Sequence, residues 1–205
     1  MRIAFASLII AAGLASAASA QTTDAPAAPA VPAPAPAAVE PPPALPTSGD
    51  GAEVIAALDQ VCLPAVRGGD LEALAKANGY KLNRRDQTWA KPLGGQKNYA
   101  IVLFPQGSNK DVCFAELRYA MGKDDEIAKA LNIWAFTRQP PLDPTANYTQ
   151  PVDPDGLKRV RRSWEFLSAS QSIGLNFSTV RKPDDTQVAK NYDQGTLQYQ
   201  ERKLQ

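Results

Sequence analysis

Apolar positions along this chain fall into three regimes. They run nearly without a break from Ile3 to Ala12, become almost only Ala, Pro and Val from Ala25 to Pro46, and recur with the periods of folded elements beyond about Thr47. In the third regime Val54, Leu58, Val61 and Cys62 stand at helical spacing after a start near Ser48 to Asp50, with Pro64 expected to end that helix or mark the next turn. Asp70 is placed to cap a short helix carrying Leu71, Leu74 and Ala75, which Asn78 and Gly79 end.

Residues 82–95 read as loop or irregular strand, with Trp89 their one large aromatic group. Tyr99 to Phe104 is a continuous apolar run, and the turn-rich segment 105–109 joins it to a strand from Asp111 to Tyr119. On that second strand Cys113, Ala115, Leu117 and Tyr119 share a face, opposite Val112, Phe114, Glu116 and Arg118. The pattern predicts a hairpin at the centre of an antiparallel sheet.

The clearest helix runs from Gly122 to Arg138, with Ile127, Leu131 and Trp134 as its stripe, Asp124 or Asp125 as its cap, and Pro140 and Pro141 beyond its end. A long polar loop is expected from Gln139 to Leu157. Period-two alternation then returns at Trp164 and Phe166, at Ile173, Leu175 and Phe177, and between Gly195 and Arg202. The predicted fold is a single α+β domain: an antiparallel sheet of about five strands with helices packed mainly on one face.

The first regime changes what chemistry is open to this domain. Met1 and Arg2, the apolar run and the small residues Ala18, Ser19 and Ala20 have the layout of a secretory signal peptide, with cleavage expected after Ala20. The run is short against the roughly 20 apolar residues of a spanning helix, so no stable membrane span is expected after cleavage. Residues 21–48 read as a disordered Pro/Ala-rich spacer, because proline removes backbone donors and small side chains bury little. Residues 49–205 are the expected folded domain, and the expected location is the periplasm or the medium beyond it.

Export into an oxidising compartment makes a structural disulfide the leading role for the only two cysteines, Cys62 and Cys113. It would pin the first helix to the sheet and close a loop of about fifty residues, contributing roughly 2–5 kcal/mol.

Charge narrows the partners. The chain carries 22 basic and 21 acidic side chains, and loss of Arg2 with the leader leaves 21 of each. That balance argues against a nucleic-acid partner. Histidine is absent, which excludes imidazole triads and His-containing zinc sites, and no nucleotide or calcium loop occurs in the folded part. Neither a cofactor nor a metal is expected.

Two sets of residues remain as candidates. Trp89, with the basic cluster Lys158, Arg159, Arg161 and Arg162, is the expected ligand-binding set, in a groove formed by the Trp89 loop and the 139–157 loop. Glu116 and Glu165, each on a strand beside aromatic residues, are the carboxylates available for acid and base work on a glycan or peptidoglycan fragment. The leading functional expectation is a non-catalytic binding or accessory module acting on an envelope protein or a cell-wall polymer. A carboxylate hydrolase and a proteinaceous inhibitor are the alternatives.

Overall fold

The computed structural model describes residues 43–204, so the expected leader and most of the expected spacer lie outside the described residues. The helical N-terminal region begins with α1 (Asp50–Ala57), passes through a π-helical turn at Leu58–Cys62, and continues as α2 (Leu63–Val66). Of its two expected roles, Pro64 does not end the helix but marks the next turn. It lies in the first turn of α2, just past the widened turn, where its missing N–H is accommodated. The short α3 (Leu71–Ala77) follows, and the Asp70 carboxylate accepts from the backbone N–H of Glu72 at 2.9 Å.

The strands are β1 (Lys81–Asn83), β2 (Thr88–Leu93), β3 (Gln96–Leu103) and β4 (Val112–Tyr119), then β5 (Asp143–Thr149), β6 (Lys158–Leu167), β7 (Gln171–Arg181) and β8 (Asp193–Lys203), with α4 (Asp124–Thr137) between β4 and β5. They form one antiparallel sheet in the order β1-β2-β3-β4-β8-β7-β6-β5. The described residues form a single α+β domain with helices packed against this sheet.

The sheet has eight strands where about five were expected. The additional strands are β1, β2 and β5, whose sequences contain Pro92 or Pro144, or are very short, and whose alternation is weak. The 139–157 segment is accordingly a partner strand of β6 in its middle rather than a loop throughout.

Alternation sorts the strand residues onto two faces. Leu103 and Ile101 of β3, Cys113 to Tyr119 in odd steps on β4, Leu197 and Tyr199 of β8, Leu175 and Phe177 of β7, and Trp164 of β6 are buried under the helices. α1 and α4 lie side by side above them. A Cβ at Gly51 would come within 2.6 Å of the Ala130 Cβ, so glycine permits the close approach of the two helices.

Two kinds of anchor hold this helical layer. Cys62 and Cys113 form a disulfide with Cα atoms 5.3 Å apart, tying the π-helical turn to β4. That turn also presents Asp59 to the indole N–H of Trp134 at 2.9 Å, while Trp134 meets Tyr199 edge-on.

α4 is held at its other side by charge. Lys123, not an aspartate, occupies its N-cap position, so the expected cap is corrected. Asp124 and Asp125 pair instead with Arg181 at 3.3 Å and Arg162 at 3.1 Å on the sheet. Arg181 also meets Asp193 at 3.0 Å, whose carboxylate accepts from the Gly122 N–H, and Trp164 donates to Asn132 of α4 at 2.9 Å.

Candidate functional site

Strand alternation fixes which side chains face away from the helices. On β6 these are Arg159, Arg161, Ser163 and Glu165, because Trp164 and Arg162 reach α4. On β7 they are Asn176 and Ser178, on β8 Thr196 and Gln198, and on β4 Phe114 and Glu116.

The pairing register aligns these residues into rows across the strands. One row runs Tyr148, Arg161, Ser178, Thr196, Glu116, and the next runs Ser163, Asn176, Gln198, Phe114. Over their β5 to β8 members, without Glu116 or Phe114, opens a cleft of about 280 Å³. Its floor is hydroxyl and carboxamide, with the Ser163 hydroxyl donating to the Asn176 carboxamide oxygen at 2.6 Å.

The cations around this cleft differ in how far they are already committed. Arg159 pairs with Asp153 and, at 2.6 Å, with Asp155. Those contacts raise the Arg159 pKa, and the Arg159 hydrogen bond holds the Asp155 carboxyl below its usual range. Arg161, by contrast, is exposed and makes no ion pair among the described residues. Ser178, its cross-strand neighbour, has a buried hydroxyl oxygen with no hydrogen-bond partner. Tyr148, on its other side, is 50 % exposed.

The expected basic cluster is thus divided by the pleat. Lys158 and Arg162 point to the helical side, where they pair with Asp185 and Asp125, while Arg159 and Arg161 point to the cleft. The cluster lies on the strand next to the sheet edge, and no single surface collects all four cations.

Trp89 is on β2, opposite Leu103 on the helix-covered face, and is only 8 % exposed. Its surroundings are strand, one of the two forms expected for 82–95, and the buried ring shares no surface with the basic cluster, which corrects the expected ligand-binding set. It lines a separate hollow of about 420 Å³ with Asp70, Gln106 and Lys110. The expected groove between the Trp89 segment and the 139–157 segment does not form, because β2 and β5 stand near opposite edges of the sheet.

Glu116 and Glu165 do share the helix-free face, but the structure does not bring them together. They are separated by three strand steps and four residues along a strand, about 20 Å from spacings of roughly 4.8 and 3.4 Å. Glu116 is paired with Arg118 at 2.6 Å. Glu165 is exposed, with the exposed Asp143 opposite it on the edge strand.

Tyr148, Ser163, Asn176, Ser178, Thr196 and Gln198 were not among the expected site residues. Asn176, Ser178, Thr196 and Gln198 each read in sequence as one polar position in an ordinary alternating strand, while Tyr148 falls in the expected loop and Ser163 ahead of the alternation at Trp164. Only the register shows that they meet.

Among the described residues no group of three or more Cys, Asp or Glu side chains is placed to hold a metal ion. No helix among them is long and apolar enough to cross a membrane. Comparison with known protein families, curated proteins and solved structures finds no match to this chain.

Proposed function

We propose that this protein is an exported, non-catalytic binding or accessory module that acts on an envelope protein or cell-wall material through the helix-free face of its sheet. The observation that carries the reading is the polar cleft in which Arg161 and the buried Ser178 hydroxyl stand adjacent with neither engaged by another side chain. Burying a hydroxyl without a partner costs stability, so a ligand that supplies the partner gains from it. Export rests on the composition of residues 1–20, and a periplasmic or secreted location follows from it.

The sheet itself supports binding over strand addition. Backbone groups of β6, β7, β8 and β4 are taken by ladders on both sides, so a ligand on this face must be held by side chains.

The test is cosedimentation of the full chain with isolated cell-wall and envelope fractions. The parent is expected to be retained, and Arg161→Ala together with Gln198→Ala to lose retention. Arg85→Ala, at a side chain 93 % exposed in the β1–β2 connection, is expected to leave retention unchanged. Equal sedimentation of all three proteins would overturn the use of this face. An intact Met1 on protein recovered from its native cells, where processing should leave Gln21 first, would overturn export.

A further inference from the structure

Resting on that reading of the helix-free face, we infer that the cleft binds a sugar ring carrying a carboxylate, as a unit of an acidic polysaccharide, with Arg161 holding the carboxylate. The argument begins with charge. Lys158, Arg159 and Arg162 are each paired with an aspartate, which leaves the Arg161 guanidinium as the cation of this strand with no carboxylate among the described residues. A planar guanidinium fork matches a carboxylate in two parallel hydrogen bonds.

Its neighbours narrow the ligand further. The Ser178 hydroxyl lies directly across the strand pair from Arg161, buried and unpartnered, placed to complete the contacts of an oxygen held there. A dianionic phosphate is a poorer fit, because a single uncommitted cation faces it. One positive charge matches a monoanion.

The rest of the floor selects for hydroxyls. Thr196, Asn176 and Gln198 present a hydroxyl and two carboxamides, groups that both donate and accept and so complement neighbouring hydroxyls on a ring. Tyr148, half-exposed beside Arg161 at the edge strand, offers an aromatic surface for the apolar face of such a ring. The cleft, about 280 Å³, lies at the lower limit of small-molecule sites, roughly 300 Å³ upward, which suits a single ring with the chain passing out across the open sheet. An apolar peptide or acyl chain would instead leave this floor unpaired.

The test titrates the full chain with three probes, followed by calorimetry and by amide chemical shifts: a galacturonate trimer, its methyl ester, and a glucose trimer. Binding of the acid trimer is expected, weakened about tenfold or more by esterification and to the same extent by Arg161→Gln. Ser178→Ala is expected to weaken it less, and shift changes are expected on β6, β7 and β8. Unchanged melting temperatures of both variants establish that they fold.

Equal affinity for acid, ester and glucose trimers, or no binding of any of them, overturns the carboxylate sugar. In that event Arg161-dependent retention on cell-wall or envelope fractions still distinguishes a wrong ligand class from a wrong surface. Shift changes confined to the hollow beside Trp89 would overturn both.

Discussion

The two faces of the sheet are built from the same strands by the same alternation, yet they differ in what their side chains have left to do. On the covered face Leu117, Leu197, Leu175 and Phe177 are fully buried under α1, α2 and α4, and even its charged groups, Asp193 and Arg181, are engaged with one another. On the helix-free face the rows across β6, β7, β8 and β4 carry hydroxyls, carboxamides and charges, with Tyr148 and Phe114 at their ends, and the exposed Arg161 has no ionic partner among the described residues. Because a strand sends successive side chains to opposite faces, stability and recognition are carried by interleaved residues with little shared burden. The consequence is that changes one residue apart should have effects of different kinds.

The largest expected effect lies on the covered side. Trp134 is 1 % exposed and joins the π-helical turn, α4 and β8 through Asp59 and Tyr199. Trp134→Ala should lower unfolding free energy by about 3–5 kcal/mol in denaturant titration, with Trp134→Phe recovering much of it. A loss below about 1 kcal/mol would show that this seam does not support the domain.

Cys113→Ser should cost about 2–5 kcal/mol, and reductant should bring the parent to the same stability. Both results read the link between the π-helical turn and β4. A parent indifferent to reductant would shift the weight of that anchor onto apolar packing.

Asp193→Asn follows. Asp193 is 2 % exposed, accepts from the Gly122 N–H at 2.9 Å and faces Arg181 at 3.0 Å, so the neutral amide should cost about 1–3 kcal/mol. Hydrogen exchange should show the loss concentrated in the first turn of α4. A uniform loss across the sheet would contradict a local charge anchor.

Arg161→Ala should change stability by less than about 0.5 kcal/mol while abolishing retention on the ligand fraction. This variant separates the two faces most sharply. A destabilisation comparable to that of Asp193→Asn would mean that the guanidinium is structural.

The smallest expected effect is on pH dependence. Burial first, and then Glu126 and Glu53, raise the Asp50 carboxyl above its ordinary value at the seam between α1 and α4. The folded chain therefore holds that proton more tightly than the unfolded chain. Its contribution to stability grows as pH falls through the ordinary carboxylate range toward the unfolded value, and declines as pH rises through the raised folded value.

Asp155 and Asp184 act in the opposite sense. The Arg159 hydrogen bond lowers the first and the Thr186 hydroxyl lowers the second, so their contributions are present above the ordinary carboxylate value and lost in stronger acid. Asp50→Asn should raise the melting temperature slightly near pH 7, with the difference from the parent shrinking as the solution is acidified. A difference independent of pH would remove Asp50 from the seam's electrostatics.

Much of the covered face was legible in the amino-acid order, because burial writes a period. Cys113, Ala115, Leu117 and Tyr119 alternate, Ile127, Leu131 and Trp134 recur at helical spacing, and both lead to elements observed at those places. The short or proline-bearing strands were less legible, β1 and β2 only as loop or irregular strand and β5 as loop, since an edge or near-edge strand needs fewer buried positions and leaves a weaker signal. Trp89 stands in such a strand: its local composition suits loop or irregular strand, and pairing with β3 decides for strand and burial.

The helix-free face lies at the far limit of what linear order reveals. Alternation by itself determined that Ser178 and Thr196 each oppose an apolar face, and composition determined a histidine-free chain whose two cysteines suit a bridge, whereas the strand that carries Arg161 extends further than its alternation showed. That these polar residues form one row and that Glu116 and Glu165 stand far apart were decided by strand order and register. The physical reason is that a side chain's direction is set locally by the pleat, whereas its neighbour across the sheet is chosen by long-range pairing that the cooperative burial of the other face holds in place.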